Sequence, residues 1–425
     1  MTKSRWLDAA WSRGSCTSGR ASSGSESSEI EPSSGTGVRC AVANRVMPLR
    51  TRQALDGRLH SLMQPTGAGV LQVEPTDHCN LRCRMCAPHH EGWQTVHGIP
   101  KGLLSVPLWE RVLDGLVKDD VHFDHIIFQW LGDPSLHPEL ARLVGLAAAK
   151  LMNRVGYLRI DTNAIRLTPP RMDALLEQLP VNGPPLLLVL TIDAHTEATY
   201  ADVKGVDALA RVRRNVRHLI RARTRRQARL NLQFQFVVQE GNDHELAPFL
   251  RYWTDLLACQ GDGPWHDEVM FKRLSVGGGG PGQGEADARY EQALASAGIA
   301  AGQRGPVQVC VWERRPWQHD DRAAATGRGA CPGLWLTPVI RHDGALMMCC
   351  ADLHSELNLG SLQQATFSEL WHGARATQLR LDHLAGRFEG VCAGCGGINW
   401  YDLTPQMAAA ARSRGAALGL ASETP

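Results

Sequence analysis

Between residue 69 and about residue 275, short apolar runs of strand length alternate with longer stretches whose apolar residues recur at helical spacing. The runs are Val70–Glu74, His125–Trp130, Tyr157–Asp161, Pro185–Asp193, Leu230–Val238 and Glu268–Ser275. The stretches between them lie near 106–118, 137–151, 169–178, 197–227 and 243–259. Alternation of this kind means parallel strands joined by helical crossovers. Six such strands are too few for a closed eight-stranded barrel but enough for an open one, so the predicted fold class is α/β, a partial (β/α)6 barrel. The chemistry of such a fold gathers where the C-terminal ends of the strands meet the following loops.

The rest of the chain divides by composition. Residues 1–46 are rich in Ser and Gly and cannot bury enough apolar surface to offset their chain entropy, so they read as disordered. Met47 is an alternative start, and Glu26, Glu29 and Glu31 speak against a transit peptide. Residues 69–275 form the barrel. Residues 276–306, opening with Gly277–Gly280, read as a flexible linker with one helix at Ala286–Ala297. Residues 307–400 hold six of the 12 cysteines, strand-like pieces at Leu334–Arg341 and Ala345–Met348 and helices near 366–384, which marks a small metal-organised domain. Residues 401–425 are an Ala-rich tail, read as one helix. With 45 basic and 43 acidic residues the net charge is +2, which argues against a nucleic-acid partner or a polybasic membrane surface. No apolar run approaches the ~18 residues of a membrane helix. No secretory signal is visible either, so the expected location is the reducing cytoplasm, where disulfides are rare. The cysteines need another explanation.

The first barrel strand runs into Cys79, Cys83 and Cys86, a C-x3-C-x2-C spacing. Three thiolates do not close a tetrahedral zinc site without a fourth ligand, for which His78, His89 or His90 would serve. A four-iron cluster, by contrast, can be held at three corners with one iron left open. Later strand ends carry Gly132-Asp133-Pro134, Thr162-Asn163, Thr191-Ile192-Asp193 and, on the fifth strand, Gln235. In this order the sequence resembles the radical SAM superfamily, with the family's Gly-Gly-Glu-type turn altered by Leu131 and Asp133 and its aromatic before the third cysteine replaced by Met85. The resemblance covers about 69–275 and implies a TIM-like partial barrel. It implies further that Cys79, Cys83 and Cys86 hold a [4Fe-4S] cluster whose open iron binds S-adenosyl-L-methionine (SAM). Met85, Gly132, Asp133, Pro134, Thr162, Asn163, Thr191, Asp193 and Gln235 would then line the SAM site.

Downstream, Cys331-x17-Cys349 is followed by Cys392-x2-Cys395, and Gly344 stands five residues before Cys349. This is similar to the C-terminal SPASM/twitch iron–sulfur domain of radical SAM enzymes over about 331–396. It implies one auxiliary [4Fe-4S] cluster on Cys331, Cys349, Cys392 and Cys395. Cys350 or Cys310 could serve as a further ligand, and a zinc ribbon is the bland alternative. Cys16, Cys40 and Cys259 read as non-ligands, Cys259 as a buried core thiol. Four thiolates leave no open iron, so the second cluster is expected to take an electron. The implied activity is an oxidoreductase: a 5′-deoxyadenosyl radical removes hydrogen from substrate carbon, and the substrate radical is oxidised through the auxiliary cluster. A small polar molecule, sugar- or aminocyclitol-like, is the favoured substrate, because residues 1–68 are too short and Ser-rich for a peptide-recognition domain. The alternatives are a SPASM-type peptide or protein maturase, a redox-neutral rearrangement and, outside enzymes, a zinc-binding scaffold. An electron donor such as flavodoxin or ferredoxin is an expected partner.

His137, His342 and Glu245 are candidate bases, and Trp130 is a candidate pocket residue. Trp335 and Trp371 read as core of the second domain. Nine arginines between Arg211 and Arg229 accompany Val212, Val216, Leu219 and Ile220 at helical spacing. The plain reading is an outer barrel helix with a solvated basic face. The functional one is docking of tRNA, an acidic peptide or a flavodoxin-like donor.

Overall fold

The structure is a computed structural model, and it describes residues 67–86, 101–259, 265–275, 282–305, 307–312, 329–395, 397 and 403–420. All of them belong to one unit, Cys40–Pro425. The expectations placed on residues 1–46, on His89 and His90, and on Gly277–Gly280 lie outside the described residues.

The six expected strands are present as β1 (Gly67–Val73), β2 (His122–Phe128), β3 (Val155–Thr162), β4 (Leu186–Thr191), β5 (Leu230–Val238) and β6 (Asp267–Arg273). They pair in parallel in sequence order. The crossovers are α1 (Val106–Lys118), α2 (Leu140–Lys150), α3 (Pro169–Glu177), α4 (Glu197–Lys204), α5 (Leu209–Arg226) and α6 (Leu246–Ala258). Each has a local cause. In α1, Ser105 caps the first turn, Pro107 occupies a position where no N–H is needed, and Val106, Trp109, Val112, Leu113 and Leu116 form the buried stripe. The stretch 137–151 begins instead with a 3-10 turn at Pro134–Leu136, capped by Asp133. The stretch 197–227 is two helices because Gly205 ends α4 in the left-handed region, at φ +73°.

The sheet extends beyond these six strands at both edges. Much of the expected linker is ordered as α7 (Gln283–Ser296) and β7 (Gly302–Arg304), and β8 (Val307–Val311) pairs in parallel with β6. Residues 307–311 therefore continue the barrel and do not open the cysteine-rich domain. Val307, Val309 and Val311 alternate as strand residues should, and Cys310 among them concealed this. At the other edge β9 (Val339–Ile340) pairs in parallel with β1 and carries β10 (Ala345–Met347) and β11 (Asn358–Ser361). The expected strand Leu334–Arg341 is mostly not a strand: between Pro332 and Pro338 the chain forms a short helix, α8 (Gly333–Leu336), and only the two residues of β9 are extended. The remaining helices are α9 (Phe367–Trp371), α10 (Ala374–Leu384) and α11 (Pro405–Ala417). Trp371 and Trp335 are buried, and the Trp335 indole donates to the Met407 carbonyl at 3.3 Å. Among the described residues no helix is long and apolar enough to cross a membrane.

Period-two alternation sorts the strand residues into two faces. Leu158, Ile160, Leu188, Leu190, Phe234 and Phe271 join the core beneath the helices. The intervening positions face the barrel interior. On the outside, α5 presents the expected apolar stripe, but its arginines are not all solvated. Arg223 is wholly buried, grips Asp267 with both terminal nitrogens at 2.6 and 2.7 Å, and lies 4.4 Å over the Trp265 ring. Replacing Asp267 with Ala would leave that guanidinium buried without its counter-charge. The expected cost is about 3–5 kcal/mol in urea-induced unfolding; a loss below about 1 kcal/mol, the range of an exposed pair, would contradict it.

Candidate functional site

After β1 the chain turns sharply and the cysteine loop begins. Thr76 donates to the Gly102 carbonyl at 2.7 Å and accepts from the His78 amide at 3.1 Å, while Asp77 accepts from the Gly102 amide at 2.9 Å. The loop then lies across the C-terminal end of α4: the Arg82 amide donates to the Lys204 carbonyl at 3.0 Å and the Arg84 amide to the Val203 carbonyl at 3.1 Å. A Cβ at Gly205 would stand 2.7 Å from the Arg82 carbonyl oxygen. On its other side the loop touches the turn after β2, where the Asp133 amide donates to the His78 carbonyl at 2.8 Å. A Cβ at Gly132 would meet the Thr76 oxygen at 2.3 Å. Two glycines thus let backbone press on backbone around the cysteines.

Cys79, Cys83 and Cys86 are half-buried and lie close enough to feel one another's charge. Burial pushes the Cys79 thiol up to about 11 and the Cys86 thiol up to about 12. Such thiols lose their protons to a metal centre, which deprotonates a coordinating thiol outright. Among the described residues no three His, Cys, Asp or Glu side chains gather as closely as ligands of a single metal ion do. A four-iron cluster spreads its thiolates over separate iron corners. Beside Cys83 lie the Lys204 ammonium and the Tyr200 hydroxyl; the latter is buried and has no hydrogen-bond partner among the described residues. The donor set and this orphaned hydroxyl fit an iron–sulfur centre.

The strand ends hold the loop more than they offer side chains to a ligand. Asp133 is buried and accepts from the Ser135 amide (2.9 Å), the Thr162 hydroxyl (2.9 Å) and the Asn163 amide (2.7 Å). The Asn163 side chain donates to Asn80 inside the cysteine loop at 2.9 Å and accepts from the Ile165 amide. The Thr162 hydroxyl and the Asn163 side-chain amide, expected to line the SAM site, are thus engaged within the protein. Asp193, at φ +59°, pairs with Lys204 and accepts from the Val237 amide at 2.7 Å. Burial alone would lower the Lys204 pKa, but Asp193, Cys83 and Tyr200 together outweigh it and raise it. Met85 accepts from Gln239 at 3.4 Å. Thr191 and Gln235, register partners on β4 and β5, share the inner face, and Pro134 is buried in the turn.

Below this mouth the interior mixes polar pairs with the apolar Leu187, Val189 and Met270. Arg159 grips Asp161 through two nitrogens at 2.6 Å each, Gln233 donates to Glu268 at 2.7 Å, and His125 stacks on Tyr157 with centroids 4.5 Å apart. Burial, then Arg159, lowers His125 to about 3, so its imidazole is neutral. The sequence reading missed these residues, although charges at alternate positions of an otherwise apolar strand (Arg159 and Asp161; Glu268 and Lys272) were the available signal. It missed Lys204 because it ran α4 and α5 together.

Several expectations change. Trp130 is buried against Val339, Ala345 and Met347, where the inner face of the sheet continues beyond β1, and donates to the Cys350 carbonyl at 2.9 Å. His137 is bound at both ring nitrogens, by the Leu104 carbonyl and the Glu139 amide. Glu245 accepts from the His195 and Thr196 amides, bracing the start of α4. His342 pairs with Glu74 at 2.9 Å. Each of the three candidate bases thus has a partner within the protein. Cys259 is exposed, because it falls at the end of α6. Cys310 packs on Met270 in the barrel.

In that second group the Cys349 thiol accepts from the Ala351 amide at 3.4 Å and lies 3.9 Å from the Thr337 hydroxyl. Its neighbour Cys350 holds it up, and Cys350 in turn feels Cys331. A Cβ at Gly397 would be 3.8 Å from the Cys331 sulfur, and the Gly397 amide donates to the Cys395 sulfur at 3.3 Å. Cys392 ends a 3-10 turn whose Val391 amide is held by Glu356 at 2.8 Å.

The close approach at Gly132 generates a prediction. Gly132→Ala must push the turn off the cysteine loop, so iron retained after anaerobic reconstitution should fall, with a loss of about 1–3 kcal/mol in stability. Wild-type iron content in this variant would contradict the contact.

Residues 73–252 match the radical SAM superfamily and residues 331–396 match the SPASM iron–sulfur cluster-binding domain. Part of the chain is 31% identical, over 107 residues, to the tungsten-containing aldehyde ferredoxin oxidoreductase cofactor-modifying protein of Pyrococcus furiosus; the match spans 25% of this chain and 27% of that protein. Among solved structures, anSMEcpe with bound AdoMet superposes with a TM-score of 0.51 at 13% identity, covering 82% of this chain and 97% of that one. SuiB of Streptococcus suis bound to S-adenosylmethionine gives 0.50 at 12% identity, covering 83% and 78%. At these identities the likeness is one of fold. The two sequence matches take in both cysteine groups, which excludes the zinc-scaffold reading. The chain carries a radical SAM domain followed by a C-terminal SPASM domain, the layout of a radical SAM enzyme with a SAM-binding [4Fe-4S] cluster and an auxiliary iron–sulfur cluster.

Proposed function

We propose that the chain is a radical SAM oxidoreductase that dehydrogenates a small polar molecule held inside the barrel. The single observation that carries this reading is the cysteine loop clamped between Gly132 and Gly205 at the mouth of a barrel whose interior holds polar pairs. Cys79, Cys83 and Cys86 would hold the first cluster, and Cys331, Cys349, Cys392 and Cys395 the auxiliary one. When bound, these groups supply a 5′-deoxyadenosyl radical that takes a hydrogen from substrate carbon and an acceptor for the electron that the substrate then gives up.

The protein's own contribution is position and charge. Gly132–Pro134 present backbone at the loop's edge, and Thr191, Gln235 and Met85 are offered toward SAM. Asp133, Thr162, Asn163 and Asp193 act by fixing the strand ends on which the loop rests. Lys204 sets a positive charge beside the thiols. The Arg159–Asp161 and Gln233–Glu268 pairs give the interior donors and acceptors suited to hydroxyl or amine groups. The thiol chemistry suits the reducing cytoplasm.

Anaerobic reconstitution should load about eight irons per chain, and a Cys331→Ala/Cys349→Ala variant should lose about four of them. Iron near four in the wild type, unchanged in the variant, would remove the auxiliary cluster. With deuterated sugars, aminocyclitols or peptides, deuterium should enter 5′-deoxyadenosine from a small polyhydroxylated compound. Transfer from peptides alone would replace the small-molecule reading with a maturase.

A further inference from the structure

The barrel interior contains several charged groups, and nearly all have a counterpart. Arg159 is matched by both Asp161 oxygens. Lys204 is matched by Asp193, whose other oxygen takes the Val237 amide. Glu268 is held by Gln233, and burial pushes it up toward its neutral form. Lys272 is different. It stands on β6 beside Val237 in register, two residues beyond Met270 and four beyond Glu268, and so it shares their inner face near the C-terminal end of the strand. Among the described residues it forms no ion pair or hydrogen bond. Its one close partner is the Trp312 indole, with the ammonium nitrogen 4.9 Å from the ring centroid. The next residue, Arg273, does find a carboxylate, Asp287 at 3.2 Å.

We propose that the barrel interior recognises an anionic group of the substrate, a carboxylate or a phosphate, through the Lys272 ammonium. The inference rests on the reading of this chain as a radical SAM enzyme with its substrate inside the barrel, and it narrows the substrate class from polar to anionic. The physical argument is desolvation. A neutral substrate that expelled water from the interior would leave Lys272 charged with only an aromatic face to solvate it, which is costly. An anionic group turns the same event into a charge-assisted hydrogen bond. Trp312 keeps the ammonium in place meanwhile, because a cation over an indole face is attracted to it. Burial, then Arg159, lowers the Lys272 pKa to about 8, with Asp161 and Asp193 pulling the other way.

The test uses the full chain, reconstituted with its clusters, in the presence and absence of SAM. Pyridoxal 5′-phosphate is the probe: its aldehyde carbon bonds the lysine nitrogen with loss of water, borohydride reduces the imine to an amine, and peptide mass spectrometry locates the product. With SAM bound, acetate or inorganic phosphate should slow labelling of Lys272 about tenfold, a factor of one such pairing, while acetamide should not. Protection by acetate alone assigns a carboxylate, and protection by phosphate alone assigns a phosphate. Lys272→Met should keep iron content and SAM affinity, the latter measured by equilibrium dialysis, and the variant should no longer bind the protecting anion. Equal labelling with and without both anions would overturn the proposal. So would protection by SAM alone with weaker SAM binding in Lys272→Met, which would assign the ammonium to the cosubstrate. Absence of iron or of SAM cleavage in the wild type would instead sink the parent reading, and is measured before any labelling.

Discussion

The site depends on backbone pressed against backbone. The cysteine loop carries little apolar surface of its own, and what fixes it is contact with two neighbouring turns whose glycines leave no Cβ in the way. On one side stands the turn after β2, whose Asp133 amide binds the loop and whose Asp133 carboxylate gathers the end of β3. On the other stands the left-handed end of α4, whose last carbonyls accept the loop's amides. The unsatisfied carbonyls at a helix C-terminus usually go to water or a cap. Here they anchor a loop with three thiols, and the same turn of helix brings Lys204 and Tyr200 beside Cys83.

The interior follows the same logic of matched polar groups. A barrel of this size with an apolar lining would fill itself with side chains. Arg159 and Asp161 on β3, Gln233 on β5 and Glu268 on β6 instead hold one another in place and leave polar atoms facing the same space. The C-terminal domain closes the opposite edge through β9, and the Trp130 indole reaches across to the Cys350 carbonyl. The two cysteine groups are therefore parts of one continuous sheet assembly.

Much of this was legible in the residue order. The strands declared themselves because each is a short apolar run between helical stretches, and β5 coincides with its predicted bounds. The cysteine groups declared themselves by spacing. What stayed hidden was of two kinds. Some signals were too short to rise above their surroundings: Val307–Val311 is five residues beside a cysteine-rich region, and Pro332 and Pro338 reduced an expected strand to two residues. Others depend on partners distant in sequence. Nothing near Thr162 or Asn163 announces that Asp133, about thirty residues away, will claim them. The burial of Arg223 in a basic stretch becomes visible only with Asp267 opposite it. The periodicity around Gly205 looked continuous because a left-handed glycine interrupts a helix without disturbing its apolar count.

The central claim is that the loop of Cys79, Cys83 and Cys86 holds a cluster with one iron open to SAM. The most direct measurement is the electron paramagnetic resonance spectrum of the reduced protein after Cys331 and Cys349 have been replaced by Ala, so that only the first centre contributes. The account predicts a [4Fe-4S] signal whose g values shift when SAM is added. A reduced-cluster signal unchanged by saturating SAM would contradict it.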